Sequence, residues 1–503
     1  MSHSILTASL IETDRGWHSL PGLLAAMTRS EVTTFPALRP HQRPAWHMFL
    51  VQLAVLALDA AGLRELPESE AGWRDILRGL TPDFPDDEPW HLIVPDRTRP
   101  AFLQPPDPGG LKWSDVATPD ALDMVITSRN HDLKREIARE AAPQDWLFAL
   151  VSLQTMEGFG GAGNYGIARM NGGSSSRVLI GLAPAKSGSS DIDPSLWWRR
   201  DVRRLLETRS GTAGKALLWL EPWPEGQALD LAALDPQFIE VCRRIRLMET
   251  GGGISAERST SSAARIAAKE AKGNTGDPWA PIAIEGKALT LGERDWTHEL
   301  LVKLLFTADG REWTVPRLAR PFPGEEAEPM LLIAEAFARG NSKTDGFRSR
   351  VIPVPKAILQ EFLGPRPADV ADGLLKDIAA VDLALRNGLA LVAAGGDKEK
   401  VGKPYYERTR FAREALRREA DRLFFPELWR RVEATVDADF TRLRLAFLEE
   451  LAKAARKEFQ AALAAIPCAS LMRPRAEVRG KARLDWKLHE AIRDFKPKEV
   501  ADA

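Results

Sequence analysis

Four stretches beyond residue 366 carry apolar side chains at a 3.6-residue period, and this repetition constrains the fold more than any other feature of the chain. The first holds Leu374, Ile378, Val381 and Leu385; the second holds Ala412, Leu416, Ala420 and Leu423, with Pro404 placed near a helix start. The third runs through Val432, Val436, Phe440, Leu443, Phe447, Leu451 and Phe459, and the fourth through Leu484, Leu488, Ile492 and Phe495. A helix with one apolar stripe must bury it against a neighbour, so four such helices predict a bundle over 366–503. This is the basic end of the molecule: 401–503 contains 23 Lys and Arg against 17 Asp and Glu, in a chain whose totals are 69 and 70.

Ahead of the bundle, residues 1–365 read as a mixed α/β domain, which makes the whole chain α+β. Two helices are expected between Ser19 and Gly62, on Leu20, Leu23, Leu24 and Met27 and then on Phe49, Leu50, Leu53 and Leu56. Prolines crowd between Pro82 and Pro108, which predicts irregular backbone, and a helix follows from about Pro143 to Thr155. The segments 177–181, 216–220 and 282–291 have strand character and are expected to pair antiparallel. In the last of them Glu285-Gly286 forms a hairpin turn that puts Lys287 near the tip. The Gly-, Ser- and Ala-rich stretch 251–277 has no periodic large apolar residue and is expected to be a mobile excursion.

Two cysteines, Cys242 and Cys468, are too few for a disulfide framework or a thiolate metal site, and they fit a reducing cytoplasm. The most apolar run, Met48 to Leu58, is too short to span a bilayer, and the first residues lack an export pattern, so no membrane role is expected. A net charge of -1 confines any nucleic-acid contact to a local patch.

Catalytic signals are sparse. Gly158, Gly160 and Gly163 satisfy GxGxxG, but a helix precedes them and no helix-opening pattern follows, against the dinucleotide context. His131-Asp132 is a dipeptide used by metal-dependent phosphohydrolases, and a metal-dependent nuclease built on it is one alternative function. The other histidines show no HxxxH or HExxH spacing to complete such a centre. No GxSxG elbow, phosphate loop or Cys/His pair is present. What remains is three glycine-rich or basic loops: 158–177, the turn with Lys287, and 339–350. Asn164, Asn171, Asn341 and Ser342 are short donors suited to minor-groove acceptors, and Lys and Arg suit phosphates. The same composition suits plain solvated surface, and a helical scaffold binding only protein is a further alternative.

The order of features resembles the CasA family, the large subunit of Cascade, the RNA-guided surveillance complex of type I-E CRISPR systems. The resemblance rests on SLPGLLAAM (19–27), AFLQPP (101–106), GFGG followed by NGG and a strand (158–181), CRRIRL (242–247), GNSKTDGFRSRVIPVP (340–355) and the helical end. It implies a non-catalytic subunit that recognises a protospacer-adjacent motif in double-stranded target DNA from the minor groove. It also implies strand separation and R-loop formation, and recruitment of a nuclease-helicase effector to the guide-RNA-containing Cascade subunits. On this resemblance Gly158, Phe159, Gly160 and Gly161 match the family's glycine loop, with Asn164 and Asn171 beside it, and Lys287 matches a hairpin lysine. Arg339, Asn341, Ser342 and Lys343 fall in the strand-separating wedge; where some members carry glutamine, this chain has Ser342 or Lys343. Asn130, Lys134 and Arg135 fall in a mobile family loop. The zinc-binding cysteines of some members are absent, so neither metal nor cofactor is expected.

Overall fold

The computed structural model describes residues 3–122, 141–173, 176–186, 190–209, 214–251, 253–306, 312–325, 328–340 and 343–495. The chain forms two compact units, one of residues 1–296 with 312–353 and the other of 297–311 with 354–503. The second unit thus takes in stretches that the apolar pattern leaves with the mixed region.

In the first unit the helix Arg43–Ala60 is the centre of the core. Every residue from Pro44 to Leu58 is buried, as a helix without a polar face requires. It packs on the helices Pro143–Met156 and Pro194–Glu207 and on the strand Leu234–Ile239. His47 and Gln52, within that buried stretch, are bonded inside the core. Gln52 donates to the carbonyls of Gln237 and Phe238 at 3.2 and 2.8 Å and accepts from Arg177 at 3.1 Å. His47 Nε2 lies 2.9 Å from Asp201 Oδ2, with its ring stacked on Trp197 at 3.5 Å. Both expected helices near the start form, as Leu20–Thr28 and Arg43–Ala60.

Proline crowding leaves 82–108 irregular, but side chains pin it. Trp90 Nε1 donates to Thr81 at 2.8 Å, and Gln104 bonds the carbonyls of Leu92 and Phe102 and accepts the amide of Leu247 at 2.7 Å.

The strand Leu179–Pro184 pairs antiparallel with Met330–Gly340, which in turn neighbours Lys343–Val354. Two other strand expectations are corrected. The expected strand at 216–220 is the short Lys215–Leu217, which runs parallel to Leu234–Ile239, and its chain turns away at Leu218. In 282–291 only Ile282–Ala283 is a strand, and its partner is Trp313–Thr314. A single bridge, Ile282 to Ala288, closes the turn at Gly286.

The expected mobile excursion at 251–277 is also corrected. Gly253–Ser259 pairs along its length with Arg244–Thr250 and, on its other edge, with Ser114–Val116. Ile266–Ala267 pairs with Leu229–Asp230. Strand pairing orders this stretch together with a few side chains: Ile266 is buried with Leu218, Leu234 and Phe238, and the Arg265 guanidinium donates to the carbonyls of Pro222, Leu218 and Glu221.

The second unit contains the helices Pro365–Ala393, Arg410–Glu433, Asp437–Ala462 and Arg473–Ile492, the first packing on the other three. Pro404 starts a separate short helix, Lys403–Glu407. The apolar stripe from Val432 to Phe459 is not one helix: the chain breaks at Ala434–Val436, leaving Val432 on the preceding helix and Val436 exposed. Between Pro365–Ala393 and Arg473–Ile492, Gly388 and Gly480 let the backbones meet. A Cβ on Gly480 would stand 2.4 Å from Val392 Cγ2. Asp377 accepts from both Arg431 and Arg444, and Glu427 from Arg431 at 2.8 Å, a buried charged layer that sets helix register. The helix His298–Leu305 belongs here: His298 Nδ1 lies 2.8 Å from Asp421 and its ring stacks on Phe424, while Phe306 packs on Phe362 and Trp429. Among the described residues no helix is long and apolar enough to cross a membrane.

Candidate nucleic-acid interface

The helix Pro143–Met156 ends at Glu157, where the backbone turns extended and enters the glycine loop. The loop is built by close backbone contact. A Cβ on Gly166 would lie 2.6 Å from the carbonyl carbon of Gly158, so only glycine lets these two passes of the chain cross. Gly161 sits at φ +115°, outside the range of other residues. Gly160 donates to the carbonyl of Asn164 at 2.8 Å, and Phe159 donates to that of Gly173 at 3.0 Å.

Beneath the loop lies a side chain that the sequence reading did not single out. Arg243 is buried, and its guanidinium donates to the carbonyls of Gly158, at 2.8 Å, and of Tyr165. Its backbone is held in turn by Gln154, which accepts the amides of Cys242 and Arg243 at 3.0 and 2.8 Å and donates to the carbonyls of Arg243 and Leu103, both at 2.9 Å. The only advance signal of Arg243 was its place within CRRIRL. Burial pushes the neighbouring Cys242 thiol up to about 12, which makes it inert as a nucleophile.

The candidate residues separate by exposure. Phe159 and Gly160 are exposed, Gly161, Asn164 and Asn171 are partly so, and Gly158 is buried with its carbonyl spent on Arg243. Phe159 packs at a tilt on Tyr165, ring centroids 6.1 Å apart, beside the exposed glycines.

Hydrogen bonds gather the other loops around this one. Ser261 donates to Gly163 at 3.0 Å and Tyr165 Oη to the carbonyl of Ser262 at 3.2 Å, so the ordered 251–277 stretch forms one wall. Thr290 Oγ1 bonds the carbonyl of Asn171, and Ala288 donates to Lys272 at 3.0 Å, which sets the Lys287 turn against 171–173 by way of Gly273. Lys287 Nζ stands 2.9 Å from Glu285 at the half-exposed turn. Arg339 reaches the site from the strand Met330–Gly340: its amide donates to Gly292 at 2.9 Å and its guanidinium to Glu157 Oε1 at 3.3 Å. Lys343 begins the following strand. Asn341 and Ser342 lie outside the described residues, as do Asn130, Lys134, Arg135 and the His131-Asp132 pair. Among the described residues no His, Cys, Asp or Glu cluster could hold a metal ion.

No protein-family model matches the chain, and no curated protein does. Solved structures do. Cse1 from Acidimicrobium ferrooxidans matches with a TM-score of 0.65 at 16% identity, over 99% of this chain and 99% of its own. CasA from Thermus thermophilus matches with a TM-score of 0.66 at 16% identity, over 97% of this chain and 100% of its own. The chain has the Cse1/CasA fold. A chain of a CRISPR RNA-guided surveillance complex also matches, with a TM-score of 0.50 at 13% identity over 96% of this chain and 99% of its own. The α+β class expected from the sequence, a mixed region followed by helices, is the Cse1/CasA architecture, and the likeness runs nearly end to end.

Proposed function

We propose that this chain is the large, non-catalytic subunit of a cytoplasmic RNA-guided CRISPR surveillance complex, which reads a short motif in duplex DNA beside the target and starts strand separation. The observation that carries the reading is the convergence of the glycine loop, the Lys287 turn and the base of the 339–350 hairpin within a chain of Cse1/CasA fold. Such a site suits the task physically. Guide pairing reads the sequence, so the protein has only to find a short flanking motif and open the duplex. Exposed glycine backbone and short amide donors fit the minor groove, whose code is degenerate and gives tolerant motif choice. Unstacking a base step costs a few kcal/mol, offset by heteroduplex formation and phosphate contacts. The partners on this reading are guide-RNA-containing subunits, double-stranded target DNA and a nuclease-helicase.

The test is duplex binding by a reconstituted guide complex, with and without this chain, across a library of randomised flanking sequences. Motif-dependent binding that appears only with the chain is the expected result. Motif-independent binding in both cases would return the chain to the scaffold reading, and metal-dependent cleavage by the isolated chain would return it to the nuclease reading.

A further inference from the structure

Glu157 stands between two guanidinium groups that belong to different parts of the site. Its Oε1 accepts from Arg339 at 3.3 Å, and its Oε2 lies 3.7 Å from Arg243 Nη2. Arg243 is the group that grips the glycine-loop carbonyls of Gly158 and Tyr165. Arg339 is the last residue before Gly340, at the end of its strand. All three side chains are nearly enclosed, with 12% of Glu157, 10% of Arg339 and 7% of Arg243 exposed, so solvent screens the arrangement weakly. Backbone bonds attach Glu157 itself to both neighbours: its carbonyl accepts from Ile167 at 3.0 Å, and it bridges to Ser176, whose hydroxyl accepts the amide of Phe337.

We infer that Glu157 is a positioning residue that couples the glycine loop to the 339–350 hairpin, so that a displacement of either is felt by the other. The carboxylate is the anion that both guanidiniums share in a poorly screened setting, so the position of one cation sets how strongly Glu157 holds the other. Movement of Arg339 at the end of its strand changes the field at Glu157 and Arg243, and through Arg243 the two carbonyls that shape the loop. The mechanical part stands on the geometry alone. Its functional meaning, that reading a motif and parting the strands are linked events, rests on the proposed function.

Hydrogen–deuterium exchange on the intact chain tests the mechanical part. In Arg339→Ala the amides of 158–166 are expected to exchange about 5- to 30-fold faster, while those of the Arg43–Ala60 helix keep their rates. Glu157→Asp, which keeps the charge on a shorter arm, should fall between. Unchanged loop exchange in Arg339→Ala overturns the inference. Should that variant fail to fold, Arg339→Gln, which removes the charge at similar length, makes the same comparison with the same two outcomes. Duplex binding by the guide complex tests the functional part: in a cycle of Arg339→Ala with Gly160→Leu the combined loss should fall short of the product of the single losses. Losses that multiply independently overturn the coupling. Binding indifferent to both changes, with faster loop exchange, upholds the coupling and removes the DNA-reading role.

Discussion

The guanidinium of Arg243 holds the carbonyl of Gly158 at 2.8 Å from beneath the glycine loop, so the loop is shaped from the inside by a side chain 85 positions away. A lysine cannot reproduce two divergent donations from a planar group. Arg243→Lys is therefore expected to cost about 1.5–3 kcal/mol of stability, the range for hydrogen bonds to charged groups. Denaturant unfolding checks it, and an unchanged midpoint would mean that the clamp contributes nothing.

Two glycines of the same loop should respond oppositely to substitution. At Gly160 an added Cβ meets only ordinary contacts, the nearest at 3.4 Å, whereas at Gly166 it meets the Gly158 backbone at 2.6 Å. Gly160→Leu is expected to leave the melting temperature near the parent value and to weaken motif-dependent DNA binding. Gly166→Ala should lose about 1–3 kcal/mol through overpacking. Thermal melts with a binding titration separate the two effects.

The Lys287 ammonium pairs with Glu285 at a half-exposed turn, a pair of little energetic weight. In Lys287→Ala, stability should stay within about 0.5 kcal/mol, while the slope of log affinity against log salt for duplex DNA should flatten by about 0.9. An identical slope would remove Lys287 from the phosphate contacts.

The helical unit offers a paired control. Gly480→Ala drives a methyl against Val392 at 2.4 Å and the Gly388 carbonyl at 2.8 Å, so overpacking of about 1–3 kcal/mol outweighs the gain in helix propensity. Gly373 has nothing within 4 Å, and Gly373→Ala should gain about 0.5–1 kcal/mol. Denaturation midpoints moving in the same direction would contradict the close helix crossing.

Burial holds the pKa of His47 below its ordinary 6.5, an effect that Asp201 opposes only in part, and burial acts likewise on His18 and His91. The unfolded chain takes up these protons more readily than the folded one. The share of stability that rests on these groups is complete above about pH 6.5 and declines as the pH falls below it, by up to about 1.4 kcal/mol per pH unit for the buried His47 and by less for His18 and His91, which solvent screens. Melting temperatures from pH 8 to 5 measure the decline, and His47→Gln should flatten it; an identical profile in that variant would exclude His47 as a source.

The helical unit was legible because a 3.6-residue stripe is a periodic signal that survives substitution. The same signal misled at Val432–Val436, where apolar spacing continues through a break in the backbone. The order within 251–277 was illegible because strand pairing supplies much of it, through amides and carbonyls common to every sequence, and its side-chain anchors, Ile266 and Arg265, are single residues without a period. For the same reason the glycine loop could be marked from its composition and family resemblance while its clamp could not: the partners of Arg243 are carbonyls, which leave no trace in residue type. Gln154 lies inside the helix expected over 143–155, but its four bonds to the backbone need the fold to bring Leu103 and Cys242 within reach.

The two compact units are interleaved along the polypeptide, since 297–311 joins the second and 312–353 returns to the first. No single proteolytic cut or truncation divides the chain into its two halves. During synthesis the first unit stays open until its last strands emerge, and His298 waits for Asp421 and Phe424 to be made, an interval on the order of ten seconds at ordinary elongation rates. A nascent chain of this kind carries His298 without its partners for about a quarter of its production, and early exposure to chaperones follows from the order in which its pieces arrive.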